Sequence, residues 1–227
     1  MIVGNGLLAQ AFAPIYGSDA DVLVFASGVS NSRETRAEQF DREVALLQAA
    51  MARGKKLLYF STCSVGDPEL AGSAYVVHKL AMERLVCDGG AGNAVFRLPQ
   101  VVGRTPNPHT LTNFLYHQIC SGARFQVWRR AWRNLIDVTD VARIVAFMVN
   151  NPGRYGPVTT VASPFSVPIT ELVGTFEVVL GKKAYCDFVD AGGEYAIDAS
   201  AASAVAQQVG ICFDDAYVLN LVKKYYG

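Results

Sequence analysis

The first nine residues, Met1-Ile2-Val3-Gly4-Asn5-Gly6-Leu7-Leu8-Ala9, set the reading of the whole chain. A short apolar run, a glycine turn and the opening of an amphipathic helix (residues 7–16) follow one another without a spacer. In a Gly-x-Gly-x-x-Ala turn the first glycine permits the tight bend and the second lets backbone approach a pyrophosphate. The alanine keeps the helix close to its strand, and the free amides of the helix N-terminus suit phosphate oxygens. Gly4, Asn5, Gly6, Leu7 and Leu8 are therefore candidate dinucleotide contacts. An ordinary strand-to-helix turn carries the same letters, so the surroundings have to decide.

Outward from the turn, apolar runs of strand length alternate with longer amphipathic stretches. Residues 21–26, 56–61 and 93–98 read as strands, and residues 38–53 and 74–87 as helices, the first closed by Gly54. Unbroken apolar strands, each followed by a helix, predict a parallel sheet covered on both faces, with right-handed crossovers and a doubly wound order. The second half predicts helices over 111–122, 138–151 and 169–180, the last closed by Gly181, and a hairpin or loop over 125–132. Prolines and glycines punctuate the stretch between the last two helices. One domain over residues 1–227 is expected, with a small lobe formed by about 104–135 and 155–227.

Composition narrows the function. Twenty basic residues balance twenty acidic ones, which removes the electrostatic case for nucleic acid or an anionic membrane as partner. Trp128-Arg129-Arg130-Ala131-Trp132-Arg133 interleaves aromatics with cations, but no second basic patch supports it. Five scattered cysteines without a Cys-x-x-Cys pair read as reduced thiols. No leader pattern and no apolar run near the roughly 20 residues of a membrane span are present, so a cytoplasmic location is expected. His78, His109 and His117 share no metal spacing, and Cys63 has no local His or Asp to activate it.

One usual partner of the glycine turn is missing. An acid about 20 residues on, at the end of the second strand, normally holds the adenine ribose. Here that strand ends in Ser27 and Gly28.

Tyr75-Val76-Val77-His78-Lys79 places a phenol and an ammonium on one helix face. A neighbouring cation is expected to lower the phenol's pKa and equip it to move protons at a substrate oxygen. Upstream, Tyr59-Phe60-Ser61-Thr62-Cys63-Ser64-Val65-Gly66 is a strand ending in hydroxyls. Here the chain resembles the extended short-chain dehydrogenases, the nucleotide-sugar epimerase, dehydratase and reductase family. The resemblance continues through residues 21–27, Arg97 to Gly103, Arg133 to Ala142, Val167 to Leu172 and Gly193 to Asp198. It implies an α/β, Rossmann-like doubly wound parallel sheet with an interleaved C-terminal substrate lobe.

In that alignment Thr62 matches the catalytic Ser/Thr, Tyr75 the acid/base and Lys79 the ribose-binding lysine. Ala26, Ser27, Ser61 and Pro99 are implied cofactor contacts, as are Tyr75 and Lys79. Ser64, Gln100 and Arg133 are implied substrate contacts, the arginine on a diphosphate. The cofactor implied is NAD or NADP, the substrate is a nucleotide sugar, and a homodimer is compatible with the family.

Four departures carry information. Too few residues separate the first helix from Asp21 for the family's second and third strands, so the sheet should be short at one edge, with strand 21–26 directly beside strand 1–3. The aromatic of the family's Val-Tyr-Gly is absent, since Val65 abuts Gly66. Gln100 replaces an asparagine. Cys63 and Ser64 stand where dehydratases carry Asp-Glu, and elimination of water needs that extra acid and base. The expected activity is an NAD(P)-dependent ketoreductase or epimerase, with reduction preferred; the alternative is a non-catalytic dinucleotide-binding or regulatory protein. Arg33 and Arg36 are the cations expected near a 2′-phosphate.

Overall fold

The structure, a computed structural model, describes residues 1–90 and 92–227. The first half alternates β1 (Ile2–Val3), α1 (Leu7–Tyr16), β2 (Val22–Phe25), α2 (Ala37–Met51), β3 (Lys56–Thr62), α3 (Ala74–Asp88) and β4 (Ala94–Leu98). Next come β5 (Gln100–Val102), α4 (Leu111–Ser121), β6 (Arg124–Trp128), β7 (Trp132–Asp137) and α5 (Val138–Asn150). The chain closes with β8 (Val158–Thr160), β9 (Ser166–Pro168), α6 (Ile169–Leu180), β10 (Tyr185–Val189), α7 (Ser200–Ala206) and α8 (Tyr217–Tyr226).

The main sheet has the order β1-β2-β3-β4-β8, every pair parallel. Its strands are covered on both faces, which is why Val22–Phe25 and most of Lys56–Thr62 show no polar alternation. Ile2 pairs with Val24 and Val3 with Phe25, so β2 lies directly against β1, and β1 is the sheet's edge.

The missing strands leave a topological mark. β1, β2, β3 and β4 follow one another across the sheet in a single direction. Yet Phe12 and Tyr16 of α1 pack with α5 on one face, whereas Leu47 of α2 and Met82 and Val86 of α3 pack on the other. Parallel crossovers that step the same way on opposite faces have opposite hands. With the α2 and α3 crossovers right-handed, as nearly all such units are, β1-α1-β2 is left-handed. The expectation of uniformly right-handed crossovers is corrected here. Burial of Phe12 and Tyr16 against α5 fixes the face on which α1 lies, and no intervening strands let the chain reverse its direction.

A second core joins α4, β6, α6 and α8 around Leu115, Phe125, Leu172, Phe176 and Val222. Val161, just after β8, and Ala202 of α7 instead pack with the large sheet. The segment expected as a hairpin or loop over 125–132 is different. β6 pairs in parallel with β10, some 60 residues downstream (Phe125 with Cys186), and β7 joins β5 and β9. Gly122 and Gly181 end α4 and α6 in the left-handed conformation, while α2 ends at Met51, short of Gly54.

Candidate active site

The two glycines of the first turn differ physically. Gly4 has φ +121°, and a Cβ on it would meet the Ala26 carbonyl oxygen at 2.4 Å. Glycine is thus demanded there by the fold, because the end of β2 presses against the turn. Gly6 has φ −78° in extended backbone, and a Cβ on it would meet nothing within 4 Å among the described residues. Nothing in the fold requires a glycine at that position. It precedes α1, whose N-terminus no side chain caps. The close approach of Gly4 also brings Ala26 and Ser27 beside the turn, where the Ala26 amide donates to the Val3 carbonyl at 2.8 Å.

The cations near this end are not those expected. Arg36 is held by Glu34 in a two-pronged ion pair at 2.7 and 2.8 Å, which leaves Arg33 of the two expected arginines. Arg42, on α2, reaches the Ser27 carbonyl at 3.4 Å and was not singled out from sequence.

The proposed catalytic set comes from β3 and α3. Ser73 caps α3 by accepting from the Val76 amide, which fixes the first turn bearing Tyr75. Thr62 ends β3 and accepts from the Ser64 amide at 3.1 Å, starting the short turn Cys63–Gly66. Tyr75 is buried.

The Tyr75 phenol is not lowered by Lys79. Burial pushes it up to about 12, the Thr62 hydroxyl pulls it back and Glu43 raises it. The cause is where the lysine points. Lys79 Nζ donates to Glu43 Oε1 at 2.9 Å and to the Tyr59 hydroxyl at 3.1 Å, and the residue is only 3% exposed. The ammonium is neutralised by a carboxylate before it can act on the phenol. His78 lies 3.0 Å from the same carboxylate.

Ser61 is also engaged elsewhere. The strand's pleat turns it toward α3, where its hydroxyl donates to Glu83 at 2.5 Å beside the Arg97 guanidinium. The Cys63 thiol is buried and pushed up to about 12, so it is no nucleophile.

Thr62, Ser64, Pro99, Gln100 and Arg133 line one cavity of about 40 Å³, room for a few waters at most. Trp132, Asn134, Ser166 and Tyr195 close it, and no carboxylate among the described residues lines it. Arg133 Nη1 donates to its neighbour's carbonyl, Trp132 O, at 2.7 Å. The Tyr195 ring lies 3.9 Å from a Cβ placed on Gly66, next to Val65. This tyrosine lies in an irregular segment far along the chain, within the Gly193 to Asp198 stretch that resembles the family, but its sequence context assigned it no role. Glu43 was missed too, although an acid on the same α2 face as Leu47 and Ala50 interrupts an apolar stripe.

A parallel sheet opening on a glycine turn, with Thr, Tyr and Lys on its third strand and following helix, defines the extended short-chain dehydrogenase architecture. The NAD dependent epimerase/dehydratase family matches residues 8–161, and the chain belongs to that family. Its fold is similar to UDP-glucuronic acid 4-epimerase from Bacillus cereus in complex with NAD, at 17% identity and TM-score 0.74, over 99% of this chain and 87% of that one. It is similar to RMD from Pseudomonas aeruginosa complexed with NADPH, at 20% identity and TM-score 0.69, over 98% and 85%. It also resembles dTDP-glucose 4,6-dehydratase from Bacillus anthracis in complex with NAD, at 18% identity and TM-score 0.69, over 97% and 77%. No curated protein sequence matches it. No helix among the described residues is long and apolar enough to cross a membrane.

Proposed function

We propose that this chain is an NAD(P)-dependent oxidoreductase of nucleotide-linked sugars, acting as a ketoreductase or epimerase, with reduction preferred. The observation that carries the reading is Gly6, a glycine that neither backbone nor packing requires, standing at the uncapped start of α1. Close approach of a pyrophosphate gives it a reason. Gly4 to Leu8, with Ala26, Ser27 and the backbone of Ser61, would hold the dinucleotide, and Pro99 would border it. When bound, the nicotinamide supplies or accepts a hydride at a sugar carbon.

The chain's own residues do the rest. Tyr75, kept protonated by burial, donates a proton to the substrate oxygen as it gains charge, and Thr62 holds that oxygen by a hydroxyl hydrogen bond. Lys79 has one N–H beyond those given to Glu43 and Tyr59, and this one would reach the nicotinamide ribose. Arg133 would take the diphosphate, with Ser64 and Gln100 on the sugar. The absence of a carboxylate among the described residues around the cavity speaks against elimination of water. Reduction is preferred over epimerisation because few adenosine contacts suit a cofactor that is exchanged each cycle.

The rival is a dinucleotide-binding protein without turnover, favoured by the neutralised lysine and the small cavity. Stopped-time assays with NADH or NADPH and a panel of nucleotide-linked 4-keto sugars separate the two. Oxidation of the cofactor at the expense of the sugar supports the enzyme. Binding with no oxidation on any keto sugar, and no interconversion of the corresponding epimers, leaves the rival.

A further inference from the structure

Glu43 is fully buried and has no part in the chemistry above. Its carboxylate is saturated. Oε1 accepts from the Tyr59 hydroxyl at 2.6 Å and from the Lys79 ammonium at 2.9 Å, while Oε2 accepts the Val29 amide at 2.6 Å and lies 3.0 Å from His78 Nε2. These partners come from three places: β3, α3 and the loop that follows β2. Gly28 closes the cluster from above. A Cβ there would sit 2.7 Å from Lys79 Nζ and 2.8 Å from Glu43 Oε1, so a side chain at this position would push the ion pair aside.

We infer that Glu43 is a positioning residue that ties the loop of residues 27–29 to Lys79, so that the segment proposed for the adenosine half of the dinucleotide and the lysine proposed for its nicotinamide ribose are held as one unit. The tie stands on geometry; its purpose rests on the dinucleotide reading. A carboxylate out of water is tolerated only when its oxygens are filled, and here two of the four partners are site segments. Removing its charge leaves an unpaired buried ammonium, and the Val29 amide loses a strong acceptor. The ammonium then turns toward solvent or gives up its proton, and the loop opens.

The test compares wild type with Glu43→Gln and, because that variant could fail to fold, with Gly28→Ala, whose methyl presses on the same ion pair. Hydrogen exchange over residues 27–30, labelling of Lys79 by an amine-reactive reagent, and titrations with NADH, NADPH and UDP are measured on the full chain. In both variants exchange and labelling rise by about tenfold or more, as expected for a lost charge-assisted bond. Dinucleotide affinity falls by about tenfold, while UDP affinity stays within about twofold. Unchanged exchange at 27–30 in a folded variant overturns the tie. Raised exchange with unchanged dinucleotide affinity overturns its purpose. A wild-type chain that binds neither NADH nor NADPH refutes the dinucleotide reading and that purpose with it, while exchange still decides the tie.

Discussion

At the scale of the residue, the two glycines of the first turn make opposite predictions. Gly4→Ala forces a left-handed φ on alanine and drives its Cβ into a carbonyl, so it should destabilise the fold by about 2 kcal/mol or more in urea denaturation. Gly6→Ala should leave unfolding within about 0.5 kcal/mol of wild type and still weaken NADH binding, because its methyl enters the space left for the pyrophosphate. Equal affinity in Gly6→Ala would remove the case for that space. Tyr75→Phe should cost about 10² to 10⁴ in turnover with cofactor affinity unchanged, and activity within a few-fold of wild type would dismiss the phenol as proton donor. Arg133→Ala should weaken nucleotide-sugar binding about ten- to a hundredfold in calorimetry and spare the cofactor; an unchanged Kd would make it a surface cation.

At the scale of the element, what is local in sequence was legible. The glycine turn, the unbroken strands of residues 21–26 and 56–61, and the Ser73-capped helix with Tyr75 and Lys79 on one face each follow from a few neighbouring residues. Long-range pairing was not legible: nothing in residues 124–128 announces a parallel partner at 185–189. The destination of Lys79 also escaped, because its partner lies 36 residues away on α2. That partner makes α2 acid-sensitive. Burial raises the Glu43 carboxyl, but His78, Lys79, Tyr59 and the Val29 amide outweigh it and hold it at about 2, against 4.5 for a free glutamate. A carboxylate lowered on folding adds stability that is complete above its unfolded value and lost as pH falls through its folded one. Wild type should therefore lose stability more steeply than Glu43→Gln between about pH 4.5 and 2. Parallel urea-denaturation curves across that range would show that the cluster contributes nothing to acid sensitivity.

At the scale of the whole molecule, the shortened sheet governs the account. The family match takes in β3 and α3 but begins at Leu8, after Gly4 and Gly6, while β1 becomes an edge and its crossover left-handed. The side of the turn where further strands would stand is bounded by two-residue β1 alone, and no acid ends β2 to read a ribose. The end proposed for the adenosine is thus thinly built, with Arg42 at the Ser27 carbonyl and Arg36 engaged by Glu34. Direct titration with NADH and NADPH, followed by nicotinamide fluorescence, tests the central claim most directly. The account predicts that both bind, each with micromolar or weaker affinity and within about a hundredfold of each other, a difference below about 2.7 kcal/mol. Failure of both to bind at millimolar concentration would contradict it.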